Sequence, residues 1–539
     1  MTSSVGPFDG LDLWSVFEQR AARSASRPFL TWQPIDQPSA TWTYAEVHRQ
    51  ARALAAGMQA RGVGQGERVL IHLDNTPEFF PSWLACAALG AIAVTTNTRS
   101  TQDELAYYAA DAGVTAAITQ PRHAELVSAS ATDLRWLVST DHDSGVTAAG
   151  KPSDAYAGLL GDPDSLVRTH AADPRAPLMV QYTSGTTSRP KGVVWSNANA
   201  LWAAKVNSAH EALGPDDCHL VYTPTFHANA TVHSILPTIW VGGRLVLIPK
   251  WSTSRFWDIS VQHGCTWTTL IGLSIKAILD QPAPERHSYR MFGGPICLEE
   301  FPNAAVKAMG WWGMTETACQ AIVGDVHLPN RDLAIGRPAP EYGIRVLRDD
   351  GTPVDTEETG HLQVKGVPGL SLFTEYLGKP AETAASFTED GWFTTGDLVA
   401  LHADGFLTFM DRDKDMLKVG AENVAASEVE RVISAVPGVL EAAVVGRPDD
   451  KLDEVPVAFV KVAAPDPALE ATVIGACGTM LADFKVPRAV YAVAELPRST
   501  IGKVSKRDLR AVSSPDADRE KAEARWVAEA LVDPSGDAR

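Results

Sequence analysis

Tyr182-Thr-Ser-Gly-Thr-Thr-Ser-Arg-Pro-Lys-Gly192 is the stretch on which the reading of this chain turns. It follows an apolar run, Leu178–Tyr182, with the character of a buried strand. Four hydroxyls (Thr183, Ser184, Thr186, Thr187), two glycines (Gly185, Gly192) and two cations (Arg189, Lys191) then crowd into one short loop. Hydroxyls and free backbone N–H groups suit phosphate oxygens, and glycine lets the backbone approach them closely. Lys191 adds a mobile positive charge. A Walker A loop is excluded, because Lys191 is followed by Gly192 and not by Ser or Thr. A polar Ser/Thr/Gly run is ordinarily a surface loop; the strand before it and the Lys-Gly ending point to phosphate binding instead.

Outward from the loop, short β-rich runs alternate with helical patterns, which points to α/β architecture. Expected strands are Val69–Leu73, Leu178–Tyr182, Leu220–Thr223, Arg244–Ile248 and Trp267–Ile271, nearly continuous in apolar residues as in a parallel sheet buried on both faces. Phe79–Thr96 is uncharged and long enough to raise the question of a membrane span. Pro81 and Gly90 favour a buried helix, Pro81–Leu89, and a buried strand, Ala91–Thr95. Ala400–Leu401 and Phe406–Met410 flank Ala403-Asp404-Gly405, a hairpin signal. After Met410 the pattern changes. A charged segment, Asp411–Lys418, reads as a linker. Beyond it lie a helix with Val429, Val432, Ile433 and Val436 on one face and strands at Val439–Val445 and Val455–Val462, the pattern of a small α+β domain. A further helix is expected at Asp518–Leu531.

The chain has 539 residues, 45% hydrophobic and 21% charged, the composition of a soluble globular protein with more than one domain. A formal net charge of -18 repels nucleic-acid phosphates and acidic membranes, so neither is an expected partner. The six cysteines show no Cys-x-x-Cys and no zinc-ligand spacing, and the first residues lack a basic region followed by an apolar run. A reducing cytoplasm is therefore the expected location.

The 182–192 loop resembles the signature of the adenylate-forming superfamily, which includes acyl-CoA synthetases, peptide-synthetase adenylation domains and luciferases. Further motifs follow in the family's order along essentially the whole chain. The resemblance implies a large, multi-subdomain α/β domain over residues 1–411, a hinge linker at 412–416 and a small, mobile α+β domain over 417–539. Trp312-Gly313-Met314-Thr315-Glu316-Thr317 resembles the aromatic-Gly-x-Thr-Glu motif. There the aromatic stacks on adenine, the Thr contacts the α-phosphate and the Glu, with Thr187 of the loop, holds Mg²⁺. An aromatic plane suits a base and a carboxylate suits a hard cation. The family usually has Tyr where Trp312 stands. Gly293-Gly294-Pro295 lies where the family runs backbone along substrate and adenine; from Gly294 to Trp312 is 312 − 294 = 18 positions, shorter than the family's usual spacing.

Asp397, in Thr394-Thr-Gly-Asp397, resembles the carboxylate that takes the two ribose hydroxyls, which suits two acceptor oxygens facing a vicinal diol. Arg412 matches the linker arginine and Lys414 the hinge residue. Lys503, in Leu496-Pro-Arg-Ser-Thr-Ile-Gly-Lys503, matches the lysine that relieves repulsion between a carboxylate and the α-phosphate. His227, in Pro224-Thr-Phe-His227, borders the acyl pocket in the family; the pocket residues implied are His227, Ala228, Asn229, His233, Gly272, Gly293, Trp311 and Ala318. They are mostly apolar or small, with no cation for a second carboxylate, so a bulky, largely apolar acid from specialised metabolism is expected.

The implied substrates and cofactors are a carboxylic acid, ATP, Mg²⁺ and coenzyme A, and homodimers occur in the family. The linker and Glu422-Asn423 look most like the acyl-CoA ligases, including the carnitine/crotonobetaine ligase group. Two departures stand out. Where acyl-CoA synthetases have Gly-Gly-Glu-Asn-x-x-x-Pro, this chain has Gly420-Ala421-Glu-Asn-Val-Ala-Ala426, which adds a Cβ to the family's thiol tunnel. His361 replaces a usual Glu. An enzyme that adenylates but passes the acyl group to a partner or carrier protein is the nearest alternative. A non-catalytic nucleotide- or acyl-binding relative is another, opposed by the joint presence of Thr187, Glu316, Asp397, Arg412 and Lys503.

Overall fold

The computed structural model describes residues 6–35, 37–143, 146–147, 154–183, 190–279, 281–301, 304–412, 415–419, 422–449, 452–464, 466–481, 483–498 and 504–513. The chain forms two compact units. The first comprises Met1–Ile344, Val364–Thr394 and Asp404–Leu407; the second comprises Arg345–Gln363, Thr395–Ala403 and Thr408–Arg539. The expected linker at 412–416 therefore falls inside the second unit. Strands Gly343–Leu347, Glu358–Lys365, Phe393–Leu401 and Leu407–Arg412 form one four-stranded sheet, so hydrogen bonding ties segments on the N-terminal side of residue 411 to that unit.

The first unit contains two large sheets. In one, Pro177–Thr183, Ile92–Thr95, Arg68–His72, Ala116–Thr119 and Trp136–Ser139 run parallel in that order, and Lys191–Ser196 returns antiparallel beside Pro177–Thr183. In the other, the parallel order is Val306–Trp312, Met291–Gly294, Trp267–Thr269, Cys218–Val221, Arg244–Leu247 and Pro28–Trp32. The expected strands fall on these sheets, offset by one or two residues at their ends. Phe79–Thr96 resolves as the sequence suggests: every residue of helix Phe79–Leu89 and of strand Ile92–Thr95 is buried. Among the described residues no helix is long and apolar enough to cross a membrane. Full burial of Phe79, Phe80 and Trp83 is worth roughly 1.5–3 kcal/mol for each side chain.

Several helices in this unit begin on side chains that satisfy their first N–H groups. At helix Tyr44–Ala60, Thr43 Oγ1 accepts from Glu46 N at 3.2 Å while the Glu46 carboxylate accepts from Thr43 N at 2.7 Å. Thr101 with Glu104 and Ser196 with Asn199 repeat the arrangement at Gln102–Ala112 and Asn197–His210.

The short spacing between Gly294 and Trp312 has a structural counterpart. Adjacent parallel strands ordinarily need a helical crossover. Here Met291–Gly294 and Val306–Trp312 are joined instead through a short strand, Leu298–Phe301, antiparallel to Val306–Trp312.

In the second unit a five-stranded sheet centres on Asp453–Val462, flanked by Met416–Val419, Val439–Asp449 and Ala489–Val493, with Glu422–Ala425 at the edge. Helix Ala426–Ser434 buries Val429, Val432 and Ile433, and Val436 is buried just beyond it, as the periodicity predicts. Ala426, which stands where the family has Pro, is the first helical residue, a position open to either. His361 pairs with Asp349 at 2.7 Å on the surface. All six cysteines are buried and free. The expected helix at Asp518–Leu531 lies outside the described residues.

Candidate active site

The phosphate loop is a hairpin connection whose two ends are fixed. Strands Pro177–Thr183 and Lys191–Ser196 pair antiparallel, and the last pair is Thr183 with Lys191. Ser184, Gly185, Thr186 and Thr187 lie outside the described residues. Lys191 Nζ sits 3.0 Å from the Glu382 carboxylate and 4.6 Å from the centre of the Tyr376 ring, a cation–π contact. On the other side, the Tyr182 hydroxyl donates to Asp111 at 2.9 Å, which also receives Lys379 Nζ at 2.9 Å. Burial, then Asp111, push the Tyr182 phenol well above its ordinary pKa, so it stays a donor.

The Trp312–Thr317 segment is held from several directions. Trp312 ends strand Val306–Trp312, buried, and its carbonyl accepts from Ala321 N at 3.0 Å. A Cβ on Gly313 would come within 2.6 Å of the Cys319 carbonyl, so only glycine fits. Thr315–Thr317 form a 3₁₀ turn: Thr317 Oγ1 accepts from Met314 N at 2.9 Å and donates to the Cys319 carbonyl at 2.9 Å. The turn closes at Ala318, which has φ 53. Trp195 Nε1 donates to the Thr315 carbonyl at 2.8 Å, and Phe373 N to the Glu316 carbonyl at 2.8 Å. The Glu316 carboxylate is buried and accepts from the Tyr376 hydroxyl at 2.9 Å. Burial, then Glu316, raise the Tyr376 phenol far above its usual range. Tyr376 thus touches Glu316 through its hydroxyl and Lys191 through its ring.

Glu316 suits a hard divalent cation. Mg²⁺ typically takes one or two protein carboxylates, with phosphate oxygens and water completing its shell. One buried carboxylate, oriented by a phenol whose ring also meets Lys191, meets that requirement. Among the described residues no cluster of three or more His, Cys, Asp or Glu could hold a metal without such phosphates.

Of the expected acyl-side residues, Trp311 packs against Gly293 and His233 packs on Trp311. The indole of Trp311 lies directly against the glycine: a Cβ on Gly293 would sit 1.8 Å from Trp311 Cη2. His233 stacks on the same indole, with centroids 4.3 Å apart and planes 17° from parallel. His233 comes from Thr231–Ile235, a π-helical turn, a form that recurs at functional sites. Just before it, His227 caps Ala228–Ala230 by accepting from Asn229 N at 3.1 Å. Gly272 opens helix Gly272–Leu279, and a Cβ on Gly294 would lie 3.3 Å from the Leu270 carbonyl. Pro295 is exposed.

Behind the stack is a buried polar network. The Gln320 amide lies 3.1 Å from His233 Nδ1 and 3.1 Å from Glu211 Oε1, and its carbonyl is 3.2 Å from His210 Nδ1; His210 Nε2 in turn meets Glu341 at 3.1 Å. Burial pulls His233 and His219 down to about 3 and pushes Glu211 well above the carboxylate range. With the imidazole held neutral, the 3.7 Å approach of His219 to Glu211 is not an ion pair.

The remaining expected residues belong to the second unit. Asp397 is buried there, its N–H donating to Thr395 Oγ1 at 3.0 Å. Arg412 ends strand Leu407–Arg412, and only its backbone is described. Lys414, Gly420, Ala421 and Lys503 lie outside the described residues. Lys503 is bracketed by an antiparallel bridge between Arg498 and Val504 and by Ser505 N donating to the Pro497 carbonyl at 2.7 Å.

Tyr376, Glu382, Gln320 and Glu211 were not singled out in the sequence. Gln320 left a trace, as a lone polar residue in the run Cys319–Val323. Tyr376 left none, because its partner lies 60 positions away.

A family profile described as AMP-binding enzyme matches residues 17–377, and one described as AMP-binding enzyme C-terminal domain matches residues 428–503. The chain belongs to the AMP-binding enzymes. Within this adenylate-forming family it is an AMP-forming acid–CoA ligase by its relatives. The crotonobetaine/carnitine–CoA ligase of Salmonella paratyphi C is 30% identical over 519 residues, covering 93% of this chain and 99% of that one. The MenE O-succinylbenzoate CoA synthetase of Bacillus subtilis, solved with ATP and magnesium, superposes with a TM-score of 0.78 at 25% identity over 91% of this chain and 98% of that one. The anthranilate CoA ligase AuaEII, solved with anthranoyl-AMP, shares the fold with a TM-score of 0.84 at 22% identity over 95% and 99%. The α/β fold with a large N-terminal and a small C-terminal domain is this AMP-binding family's fold.

Proposed function

We propose that the protein joins a carboxylic acid to AMP at the expense of ATP and then transfers the acyl group to coenzyme A. The observation that carries this reading is the hub at Tyr376, where the buried Glu316 carboxylate and the loop lysine Lys191 meet one side chain. A phosphate-binding cation and a metal-binding carboxylate, held together at the root of a hydroxyl-rich hairpin, are the groups a nucleotide triphosphate requires.

In the first step a carboxylate oxygen attacks the α-phosphorus, the bond to the β-phosphate oxygen breaks, and its electron pair leaves with pyrophosphate. Glu316 and Thr187 would hold Mg²⁺, which would supply charge neutralisation on the phosphates. Lys191 binds the departing phosphates, and Thr183, Ser184, Gly185 and Thr186 cradle them. Trp312 stacks on adenine, with Gly293, Gly294, Pro295, Gly313 and Met314 along its edge. Thr315 contacts the α-phosphate, and Asp397 and Arg412 take the ribose. Lys503 bridges the attacking carboxylate and the α-phosphate, relieving repulsion where it peaks. His227 borders the acyl group. In the second step a thiolate attacks the acyl carbon and AMP leaves with the electron pair of the mixed anhydride. For this step Lys414 is the proposed hinge residue, and Gly420 and Ala421 are the residues proposed to line the thiol tunnel.

Ala421 favours one alternative, in which acyl-AMP forms normally but thioester formation is slow or left to a carrier protein. The deciding measurement is pyrophosphate release with ATP, Mg²⁺ and a panel of acids, with and without coenzyme A. Release that becomes catalytic only with coenzyme A establishes the ligase. Release that stops at acyl-AMP supports the alternative, and no release from any acid overturns the adenylation reading.

A further inference from the structure

We infer that Trp311 and His233 close the acyl end of this site, so that the enzyme takes a compact carboxylic acid carrying a hydrogen-bond acceptor, not a long or bulky apolar one. The inference rests on the acid-activating reading above and sets the class of acid within it.

Three observations support it. First, Gly293 and Met309 are register partners on neighbouring parallel strands, and Trp311, two residues beyond Met309, projects from the same sheet face. Glycine at 293 ordinarily leaves open space above a strand. Here the indole takes that space so completely that no other residue fits beneath it. Secondly, His233 covers the indole face-on, so the ring is clamped between a strand and a helical turn; Trp311 is 7% exposed. A side chain packed on both sides is not displaced by a substrate without breaking core contacts.

Thirdly, the protonation of His233 is decided by what lies behind it. The Gln320 amide nitrogen has two hydrogens. One points to Glu211 Oε1 and the other to His233 Nδ1, while the Gln320 carbonyl faces His210. Nδ1 is therefore an acceptor, so the proton of the neutral imidazole is on Nε2. No described residue pairs with Nε2. His233 thus offers an uncharged N–H to the acyl end, and a hydroxyl or carbonyl on a short acid is the group that would accept it. An alkyl chain would bury that donor unsatisfied.

The test is pyrophosphate exchange with acetate, propionate, glycolate, lactate, hexanoate, benzoate and naphthoate. In the wild-type enzyme kcat/KM for the short acids is expected to exceed that for hexanoate and naphthoate by on the order of 100-fold, with the hydroxy acids above their unsubstituted counterparts. Trp311→Gly should invert the size preference, and His233→Phe, which keeps the stack, should erase the hydroxy-acid preference without admitting longer acids. The wild-type profile needs no variant, so it decides even where Trp311→Gly fails to fold. Wild-type preference for hexanoate or naphthoate overturns this inference and leaves adenylation standing. Absence of exchange with every acid overturns the adenylation reading, and this inference with it.

Discussion

The two ends of the site in the first unit are built by opposite means. At the nucleotide end the titratable groups are paired and contact one another: Lys191 with Glu382, and Glu316 with Tyr376. At the acyl end three buried titratable groups, His233, His219 and Glu211, are held away from their charged forms, while Glu341 behind them pairs with His210. His233 and His219 are pulled down to about 3, and burial pushes Glu211 well above the carboxylate range. A site that handles phosphates needs charge where charge develops. A pocket that selects an acid by shape gains more from neutral groups of fixed direction, because an unpaired buried charge would cost several kcal/mol.

The contrast can be broken most severely at the charged end. Lys191→Ala or Glu316→Ala should lower the rate of acyl-AMP formation by about 100- to 1,000-fold with the protein still folded, measured as single-turnover pyrophosphate release. Loss below tenfold would remove these residues from the phosphate machinery. Tyr376→Phe is milder, because the ring under Lys191 remains and only the hydroxyl on Glu316 is lost. About a tenfold drop in rate is expected, together with a higher Mg²⁺ concentration for half-maximal activity. An unchanged Mg²⁺ dependence would make Tyr376 a packing residue only.

The neutral end should reveal itself through pH. An unfolded histidine titrates near 6.5, whereas folded His219 and His233 titrate at about 3, so between these values the unfolded chain binds more protons. Stability conferred by these groups is present above pH ~6.5 and is lost as pH falls towards ~3, by up to about 1.4 kcal/mol per pH unit for each. Urea midpoints at pH 7 and pH 5 should show the loss, and His233→Phe should make it shallower. Glu211 has the opposite sign. Its raised pKa means that folding costs free energy where the unfolded carboxylate is ionised, and the cost disappears below pH ~4.5. Glu211→Gln, which keeps an acceptor for Gln320, should therefore raise the thermal midpoint at pH 8 more than at pH 5. This is the smallest of the expected effects, and an equal shift at both values would mean that Glu211 is ionised in the folded state.

Much of the proposed nucleotide end was legible in the sequence because its motifs are contiguous. Thr183 to Lys191 and Trp312 to Glu316 each lie within one short stretch, and their side-chain types carry the resemblance to the family. The expected core segment Phe79–Thr96 was legible for a similar reason, since an unbroken apolar run has few folded fates. The unit boundary was less so. A charged segment looks like a linker, but strand pairing decides which pieces of chain share a sheet, and Glu358–Lys365 pairs with partners that no local pattern announces.

The sequence by itself determined the family and the α/β architecture, because each rests on short-range pattern. Only the tertiary structure decided that Trp311 lies on Gly293, that Gln320 sets the tautomer of His233, and that Tyr376 reaches back to Glu316. Those contacts depend on strand register and on helix packing, where a shift of one residue turns every side chain to the opposite face. A run of letters that reads as mostly small and apolar therefore folds with an indole lying on Gly293.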